Sequence, residues 1–349
     1  MFHALRKKQF LLVAAVLLGV AGVPCPTAGG EPPPAYGGRQ AVVIIDTDAG
    51  SDDLIAIAFL LARRDVRIEA ITIANGLAHV RPGAANVLRL LELAGRKDIP
   101  VYLGRETPLR ATAEFPREWR ELSDKLPGVE LPATARRPEA QSAADYLAQR
   151  FADSRRRARI LALGPLTNLA EALAGVPAAA RAVQQIVIMG GALRVPGNLG
   201  DGGYFKTDNK TAEWNFFVDP LAAERVFASG ARITLVPLDA TNRVPIDRAF
   251  LGEFQAQART PLGRFVAQVL ETGRKFIEEN FYFAWDPLAA VALVEPGVLV
   301  TRRAAIEVRQ QPPEEGRSVA PAGRRPNARV ARDADAAAFK RIFLRAFVP

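Results

Sequence analysis

The sequence predicts an α/β fold: a single open, doubly wound domain with a mostly parallel central sheet and a functional site at the C-terminal ends of its strands. Three observations support this prediction. Strand patterns alternate with helical patterns along the chain. Residues 42–45 form an unbroken β-branched run, which is typical of a strand buried on both faces of a parallel sheet. The length of 349 residues suits one large α/β domain.

The N-terminal segment differs in composition from the rest of the chain. Arg6, Lys7 and Lys8 precede an apolar run at residues 10–23, which is the layout of a signal peptide and is too short for a comfortable membrane span. We therefore expect a signal peptide at residues 1–28, a flexible lead-in at 29–40 and the folded domain at 41–349. The protein is then exported, to the periplasm or the medium, with no stable membrane span after processing.

The single cysteine, Cys25, lies just past the apolar run. Cys25 offers lipoprotein attachment as an alternative, although Pro24 directly before it does not suit that interpretation. If cleavage falls beyond Cys25, the mature protein cannot form disulfides.

The formal net charge of +9 comes from scattered arginines, with no basic stripe that alternates with aromatic residues. Nucleic acid is therefore not an expected partner.

Strands and helices are predicted to alternate from residue 41 onward. The predicted strands cover residues 42–45, 66–73, 100–103, 159–163, 185–189, 232–237, 304–309 and 328–331. The predicted helices follow residue 54, cover 82–94 and 140–151, follow the turn at 164–168, end near 228, fill most of 248–279 and cover 335–347. Helix starts with Asp before Pro are predicted at Asp219-Pro220 and Asp286-Pro287. Residues 105–138 are predicted to be a loop or short-helix excursion, and 192–213 a long functional loop.

Four aspartates lie between the first strand and the first helix: Asp46, Asp48, Asp52 and Asp53. Carboxylates this close repel one another and raise each other's pKa unless a positive charge lies among them. A helix N-terminus supplies only about half a charge. Capping of the turn by Asp46 and of the helix by Asp52 or Asp53 is the alternative, but it needs two carboxylates at most. The cluster therefore predicts a site for a hard cation.

Further polar residues follow later strands of the predicted sheet. They are Asn75, the carbonyl of Leu163, Asn198, Glu213, Asn215 and Asp286. Ligands of open parallel sheets bind at the carboxyl ends of the strands, where these groups would meet. Oxygen ligands suit Ca²⁺ or Mg²⁺, and amides suit sugar hydroxyls, although each asparagine taken alone is also a common turn residue. Zinc is not expected, because the chain has only two histidines, His3 and His79.

Seven short segments of the domain carry a family resemblance. The most specific is Asp46-Thr47-Asp48-Ala49-Gly50-Ser51-Asp52-Asp53. The others are Ala74-Asn75-Gly76, Gly164-Pro165-Leu166-Thr167-Asn168, Met189-Gly190-Gly191-Ala192, Pro196-Gly197-Asn198, Glu213-Trp214-Asn215-Phe216 with Val218-Asp219-Pro220, and Asp286-Pro287-Leu288-Ala289. As a set, over roughly residues 42–349, they resemble the inosine-uridine-preferring nucleoside hydrolase family, in the order the family has them.

The resemblance implies a Ca²⁺-dependent enzyme that hydrolyses the N-glycosidic bond of ribonucleosides to free base and ribose. It implies a metal-bound water as nucleophile, oriented or deprotonated by Asp48. The implied metal ligands are Asp48, Asp53, the Leu163 carbonyl and Asp286. The implied ribose ligands are Asp52, Asn75 and Asn215 for the 2′- and 3′-hydroxyls, and Asn198 and Glu213 for the 5′-hydroxyl, with Asp46 left structural. Family members commonly form dimers or tetramers, so a homo-oligomer is expected.

One position departs from the family pattern. Members commonly carry a histidine directly before the last aspartate of the set, thought to assist departure of the base, and this chain has Trp285 there. Tryptophan cannot protonate a leaving group at neutral pH, but its face can stack on a purine or pyrimidine, so Trp285 is a candidate base-binding residue. His79 is a candidate substitute acid, but its place just past Asn75 favours a loop or surface residue. Tyr204, Phe205 and Lys206 in the long loop are candidates to reach the base, and Tyr282 is a candidate lining residue.

Two other functions fit parts of the sequence. An exported, non-catalytic nucleoside- or ribose-binding protein on the same fold would explain Trp285, but a binder has no need to position a water. A phosphatase of the haloacid dehalogenase type also begins with a strand and an Asp-x-Asp turn. That reaction needs a lysine and a second acidic pair after later strands, and no such set is found in the sequence.

Overall fold

The first strand, Ala41–Thr47, lies in the middle of a nine-stranded sheet in a computed structural model of the chain. The structure describes residues 40–110, 113–153, 157–174, 180, 182–200 and 205–348. The strands are β1 Ala41–Thr47, β2 Val66–Ile73, β3 Val101–Leu103, β4 Glu139–Ser142, β5 Arg159–Ala162, β6 Gln185–Met189, β7 Ile233–Val236, β8 Leu299–Ala304, β9 Glu307–Val308, β10 Ser318–Val319 and β11 Ala328–Ala334.

Thirteen α-helices and one 3₁₀ turn, Pro296–Val298, accompany the strands within these residues. The helices are α1 Ser51–Ala62, α2 Val80–Leu93, α3 Arg117–Lys125, α4 Ala143–Ala152, α5 Thr167–Leu173, α6 Trp214–Val218, α7 Pro220–Ala228, α8 Leu238–Thr241, α9 Arg248–Gln257, α10 Pro261–Thr272, α11 Arg274–Glu278, α12 Trp285–Val294 and α13 Ala336–Arg345. None of the helices in the described ranges is long and apolar enough to cross a membrane.

The sheet order confirms the predicted α/β architecture. The strands are arranged β4-β3-β2-β1-β5-β6-β7-β11-β8, and each neighbouring pair is parallel except β11 and β8. The chain moves outward from β1 to β4, then returns to the other side of β1 at β5. The strand order therefore reverses between β1 and β5, and such a switch point leaves a crevice at the carboxyl ends of the two strands.

Alternate residues of the central strands are buried on opposite faces of the sheet. Val43 and Ile45 belong to one apolar core, which contains residues of α1, α2, α9, α10, α12 and α13. Ile44 belongs to a second core, which contains residues of α4, α5 and α7. Because successive side chains of a strand point to opposite faces, a strand covered on both sides must be apolar at every position. This requirement explains the β-branched run of β1.

Helix caps decide several boundaries that the sequence pattern left approximate. Asp219 caps α7 through a bond from Ala222 N at 3.1 Å, and Pro220 is the first helical residue, as predicted. The stretch 248–279 is helical but divided, because Thr260 caps a new helix with a bond from Gly263 N at 3.0 Å.

Three further elements differ from the prediction. Residues 139–142 are the edge strand β4, where the start of a helix was predicted, and α4 begins after Ser142 caps it. The predicted strand 304–309 is divided between the end of β8 and the short β9, which pairs with β10. The excursion at 105–138 contains α3, and the described part of 192–213 has no helix or strand, as expected. The predicted signal peptide and Cys25 lie outside the described residues, as does nearly all of the predicted lead-in.

Candidate active site

A pocket of about 320 Å³ lies at the carboxyl ends of the central strands, where the strand order reverses. Nine of the ten predicted site residues line it: Asp48, Asp52, Asp53, Leu163, Asn198, Glu213, Asn215, Trp285 and Asp286. They come from segments that are far apart in sequence, so the fold brings them together. The tenth, Asn75, is buried beside the pocket and is not among its lining residues.

The turn between β1 and α1 positions Asp53. Ala49 has a positive φ of 57°, which reverses the chain sharply after the strand. The Thr47 hydroxyl donates a hydrogen bond to Asp53 Oδ1, and the backbone N–H of Asp48 donates to the same oxygen at 3.2 Å. The N-cap of α1 is Gly50, which has no side chain. Asp53 therefore lies in the first turn of the helix and does not cap it.

Three carboxylates converge at the base of the pocket. Asp52 and Asp53 from α1 and Asp286 from α12 can each place an oxygen within 4.8 Å of the others. Asp286 was predicted to cap its helix, which is wrong: α12 starts at Trp285, and its N-cap makes no side-chain bond. The Asp286 carboxylate is therefore available to the pocket. Three oxygen ligands at this spacing fit a hard cation such as Ca²⁺ or Mg²⁺.

The pKa values of these carboxyls reflect their burial together. Burial and, second to it, the charge of Asp48 together raise the pKa of Asp52 to about 7. Burial, followed by the charges of neighbouring aspartates, also raises the pKa of Asp53 and of Asp286 well above the usual range. Ionised carboxylates in this setting need a positive charge among them, so the electrostatics agree with the donor set.

Asp48 lies next to this trio and is held tightly by backbone. Its Oδ2 accepts a hydrogen bond from Leu77 N at 2.7 Å. Gly76 and Gly164 leave the space for it: a Cβ added at Gly76 would come within 2.0 Å of Asp48 Oδ2, and one at Gly164 within 2.8 Å of Asp48 Cβ. Burial raises the pKa of Asp48, and the charge of Arg120 opposes that shift.

Asp46 has different partners. Its Oδ1 accepts hydrogen bonds from the Thr72 hydroxyl at 2.5 Å and from Asn168 Nδ2 at 2.8 Å. Burial raises its pKa to about 7. Asp46 is not among the pocket-lining residues, and its bonds connect β1 to β2 and α5.

Two amides and one carboxylate from the segment before and within α6 also line the pocket. Glu213 caps α6 and accepts bonds from Asn215 N and Gly191 N, both at 2.9 Å. Its pKa is raised to about 7 by burial, although these bonds oppose the shift. Asn215 Nδ2 donates to the Leu163 carbonyl at 2.8 Å, and Asn198 Oδ1 accepts from Trp214 N at 3.1 Å. Backbone contacts thus orient each of these polar side chains.

Much of the remaining pocket lining is aromatic and apolar. Its aromatic members are Phe115, Trp119, Trp214, Phe276, Phe281, Tyr282 and Trp285. Trp285 lies against Tyr282, with ring centroids 5.3 Å apart, and Phe115 stacks on Trp214 at 4.8 Å. Trp285 and Tyr282 were predicted from the sequence, but Phe115, Trp119, Trp214, Phe276 and Phe281 were not. The one available signal for Phe115 and Trp119 was a pair of large aromatics in an otherwise polar excursion.

The remaining candidates for contact with the base lie elsewhere. His79 Nδ1 is 2.7 Å from Asp124 Oδ2, and its half-exposed ring does not line the pocket. Phe205 packs on Trp214 and Phe217, and Lys206 is exposed. Tyr204 lies outside the described residues. The pocket therefore has no histidine among the lining residues that the structure describes.

Arg120, on α3, is a site-adjacent residue that sequence analysis missed altogether. Its Nη2 donates to Asn75 Oδ1 at 2.7 Å, and the arginine is almost completely buried. No local pattern distinguishes it from the other arginines of the same polar stretch. Its importance depends on a contact across 45 residues of sequence.

Fold and site together define an α/β protein with a carboxylate-floored pocket at the switch point of its sheet. Residues 43–341 match the model of the family described as inosine-uridine preferring nucleoside hydrolase. The chain is 33% identical over 264 residues to the pyrimidine-specific ribonucleoside hydrolase RihA of Klebsiella pneumoniae, covering 74% of this chain and 81% of that protein. It is 31% identical over 278 residues to uridine nucleosidase 1 of Arabidopsis thaliana, covering 78% and 80%.

Solved structures give the same result. A plant nucleoside hydrolase, PpNRh1, superposes with a TM-score of 0.77 at 30% identity, covering 88% of this chain and 99% of that one. A purine-preferring ribonucleoside hydrolase from Gardnerella vaginalis superposes with a TM-score of 0.76 at 27% identity, covering 88% and 98%. The chain belongs to the inosine-uridine-preferring nucleoside hydrolase family and is a nucleoside hydrolase.

Proposed function

We propose that this protein uses Ca²⁺ to hydrolyse the N-glycosidic bond of ribonucleosides, releasing free base and ribose. The observation that supports this most directly is the pocket itself. Its lining combines carboxylates, amides and several aromatic rings. A nucleoside carries matching groups, namely sugar hydroxyls and a flat base. Export through residues 1–28 and assembly as a dimer or tetramer belong to the same proposal and rest on the sequence.

Asp52, Asp53 and Asp286 would hold the cation, with Asp48 and the Leu163 carbonyl beside them. All these ligands are oxygens, and Ca²⁺ accepts more of them in less regular geometry than Mg²⁺ does. Bound there, Ca²⁺ would lower the pKa of a water and polarise the ribose hydroxyls. This set adds Asp52 to the predicted ligands, because its oxygens reach those of Asp53 and Asp286.

Asp48 is proposed as the base that orients and deprotonates the attacking water. Its carboxylate is oriented by the backbone N–H groups of Leu77 and Gly50. Burial raises the pKa of its carboxyl, and a cation beside it would oppose that rise. Its position is restricted on two sides by Gly76 and Gly164.

Amides and carboxylates would hold the sugar. Asp52, Asn75 and Asn215 are proposed to bind the 2′- and 3′-hydroxyls, and Asn198 and Glu213 the 5′-hydroxyl. Glu213 is fixed by backbone N–H groups, so its carboxylate can accept a hydrogen bond from a hydroxyl without first reorganising. Holding the ring through several hydroxyls supplies binding energy that favours the flattened, oxocarbenium-like transition state.

The base would lie against the face of Trp285. Stacking on Trp285 would orient the base for departure. The competing function is a binding protein that holds nucleosides in the same pocket without cleaving them. The carboxylate trio favours hydrolysis, because a binder does not need a cation at the reacting carbon.

The first test is release of ribose. Purified protein with Ca²⁺ and a panel of ribonucleosides is expected to produce reducing sugar, and a Ca²⁺-selective chelator is expected to abolish the activity until Ca²⁺ is restored. Equal restoration by Mg²⁺ alone would exclude the Ca²⁺ assignment. Binding of nucleosides without ribose release from any of them would support the binding protein instead. Full activity in chelated protein would refute the proposed metal site.

The second test concerns Trp285. Trp285→Ala is expected to raise KM by about 10- to 100-fold, since stacking of a base on an aromatic ring contributes about 1–3 kcal/mol. Trp285→Phe, which keeps a ring, is expected to retain most of the affinity. Phe283→Ala is the matched control, because Phe283 packs on Trp285 at 6.0 Å without lining the pocket. If Phe283→Ala and Trp285→Ala raise KM equally, the effect is one of packing and the base lies elsewhere.

A further inference from the structure

Arg120 occupies an unusual position for an arginine. The helix α3 is short and strongly polar, and within it only Arg120 and Ser123 are buried. Burying a guanidinium is costly unless its donors are used. The neighbouring Arg117, on the same helix, leaves 87% of its side chain exposed. A specific contact must therefore account for the burial of Arg120.

The contacts of Arg120 lead to Asn75. Nη2 donates to Asn75 Oδ1 at 2.7 Å, in a buried setting. Nη1 donates to Glu114 at 3.1 Å, but 65% of the Glu114 side chain is exposed, so this pair contributes little to stability. Nε is buried without a partner. The hydrogen bond to Asn75 is thus the one buried contact of the guanidinium with another side chain among the described residues.

This contact determines which end of the Asn75 amide is free. A guanidinium only donates, so the atom facing Arg120 must be the amide oxygen. The Nδ2 group then remains, and in the described part of the chain it makes no hydrogen bond. With the opposite orientation, Asn75 would present its amide oxygen to the sugar, and Asp52 already provides an acceptor there. A ribose hydroxyl that donates a hydrogen bond to a carboxylate can also accept one at its own oxygen. Asn75 Nδ2 is a donor of the kind required.

We propose that Arg120 is a positioning residue that fixes the Asn75 amide, so that Nδ2 donates to a ribose hydroxyl. This rests on the proposed function, which assigns Asn75 to the 2′- and 3′-hydroxyls. Arg120 does not line the pocket, so it acts through Asn75 and not by touching the sugar. The excursion at 105–138 thereby contributes to sugar recognition as well as to the aromatic lining. The charge of Arg120 also opposes the rise in the pKa of Asp48, which is consistent with its closeness to the site.

The test compares Arg120→Met with Asn75→Ala and with the double variant. Arg120→Met is expected to lower kcat/KM for a ribonucleoside by about 10- to 100-fold, the range for a hydrogen bond to a charged group. In the Asn75→Ala background, the same change is expected to cost no more than about 2-fold, because the two residues act as one unit. Arg120→Lys, which keeps a charged donor, is expected to recover part of the loss. Arg117→Met is the control on the same helix and is expected to be neutral.

Deoxynucleosides separate positioning from a structural role. For either the 2′-deoxy or the 3′-deoxy substrate, whichever lacks the hydroxyl that Asn75 contacts, Arg120→Met is expected to cost little. Equal losses on the ribonucleoside and both deoxynucleosides, undiminished in the Asn75→Ala background, would overturn the proposal. If Arg120→Met does not fold, Arg120→Lys is measured on the same three substrates, with the same criterion.

Measurements of nucleoside binding can test the positioning role of Arg120 even if the proposed hydrolysis fails. Should the wild-type protein release no ribose, hydrolysis fails, and the affinity for ribonucleoside and deoxynucleosides is then measured by calorimetry. The same non-additivity between Arg120→Met and Asn75→Ala in Kd would support the positioning role in a binding protein. Additive losses would refute it.

Discussion

Replacing Asp48 by asparagine is expected to abolish turnover, with kcat lower by on the order of 10³-fold or more, because the side chain loses its capacity to accept a proton. Asparagine has the same shape as aspartate, so the contact with Leu77 N and the space between Gly76 and Gly164 are preserved. Thermal stability is expected to hold, because one charge is removed from a crowded acidic cluster. Initial rates of ribose release and a melting curve measure the two effects.

The control for this substitution is Asp333→Asn on β11. The Asp333 side chain is 60% exposed and does not line the pocket, so the variant is expected to be as active as the wild type. A fully active Asp48→Asn variant would show that another group deprotonates the water. A variant that is inactive only because it unfolds would appear in the melting curve, and nucleoside binding would then be lost with activity.

Gly76→Ala is expected to lower kcat by about 100-fold, although it adds only one methyl group. The added Cβ would come within 2.0 Å of Asp48 Oδ2 and 2.6 Å of Asp48 Cβ, so the carboxylate or the loop must move. A displacement of about 1 Å in a reacting group costs about 10²-fold in rate. Steady-state kinetics on the best ribonucleoside of the panel measure the loss, and Ca²⁺ titration by calorimetry shows whether the cation site is also disturbed.

Gly252→Ala is the matched glycine substitution. Gly252 is an exposed position in α9 with no atom within 4 Å of an added Cβ. Alanine there is expected to leave kcat unchanged and to raise the free energy of unfolding by about 1 kcal/mol, from helix propensity alone. If Gly76→Ala retained wild-type kcat, the position of Asp48 would not limit the reaction, and its assignment as the base would be wrong.

Some features of the site could be predicted from local sequence. Four aspartates after a buried strand predict a cation site because charge repulsion between neighbours in sequence does not depend on the rest of the fold. Parallel strands present their carboxyl ends at one edge, so polar residues that follow them converge whatever the loops do. Strand order together with the family resemblance selected the ten predicted residues, and nine of them line one pocket.

Other features depend on distances between residues that are far apart in the chain. The Asp-Pro pattern at Asp286 predicts a cap, yet α12 starts two residues earlier than that pattern implies, at Trp285, and the Asp286 carboxylate lies beside Asp52 and Asp53. Asp52 was assigned to the sugar alone because no local signal shows which oxygens of the cluster come within ligand distance. The packing of α1 against α12 determines which carboxylate oxygens come together.

The sequence by itself therefore determined the α/β class, the acidic cluster after β1 and the polar residues that follow later strands, since repulsion between neighbouring carboxylates and the order of strands and helices can be read from the chain alone. Only the tertiary structure showed which residues from distant segments lie around the acidic cluster. Phe115, Trp119 and Arg120 lie in an excursion whose composition resembles a solvated surface. Packing against Trp214 and a bond to Asn75 bring them to the site, and such contacts have no local sequence signal because they join segments many residues apart.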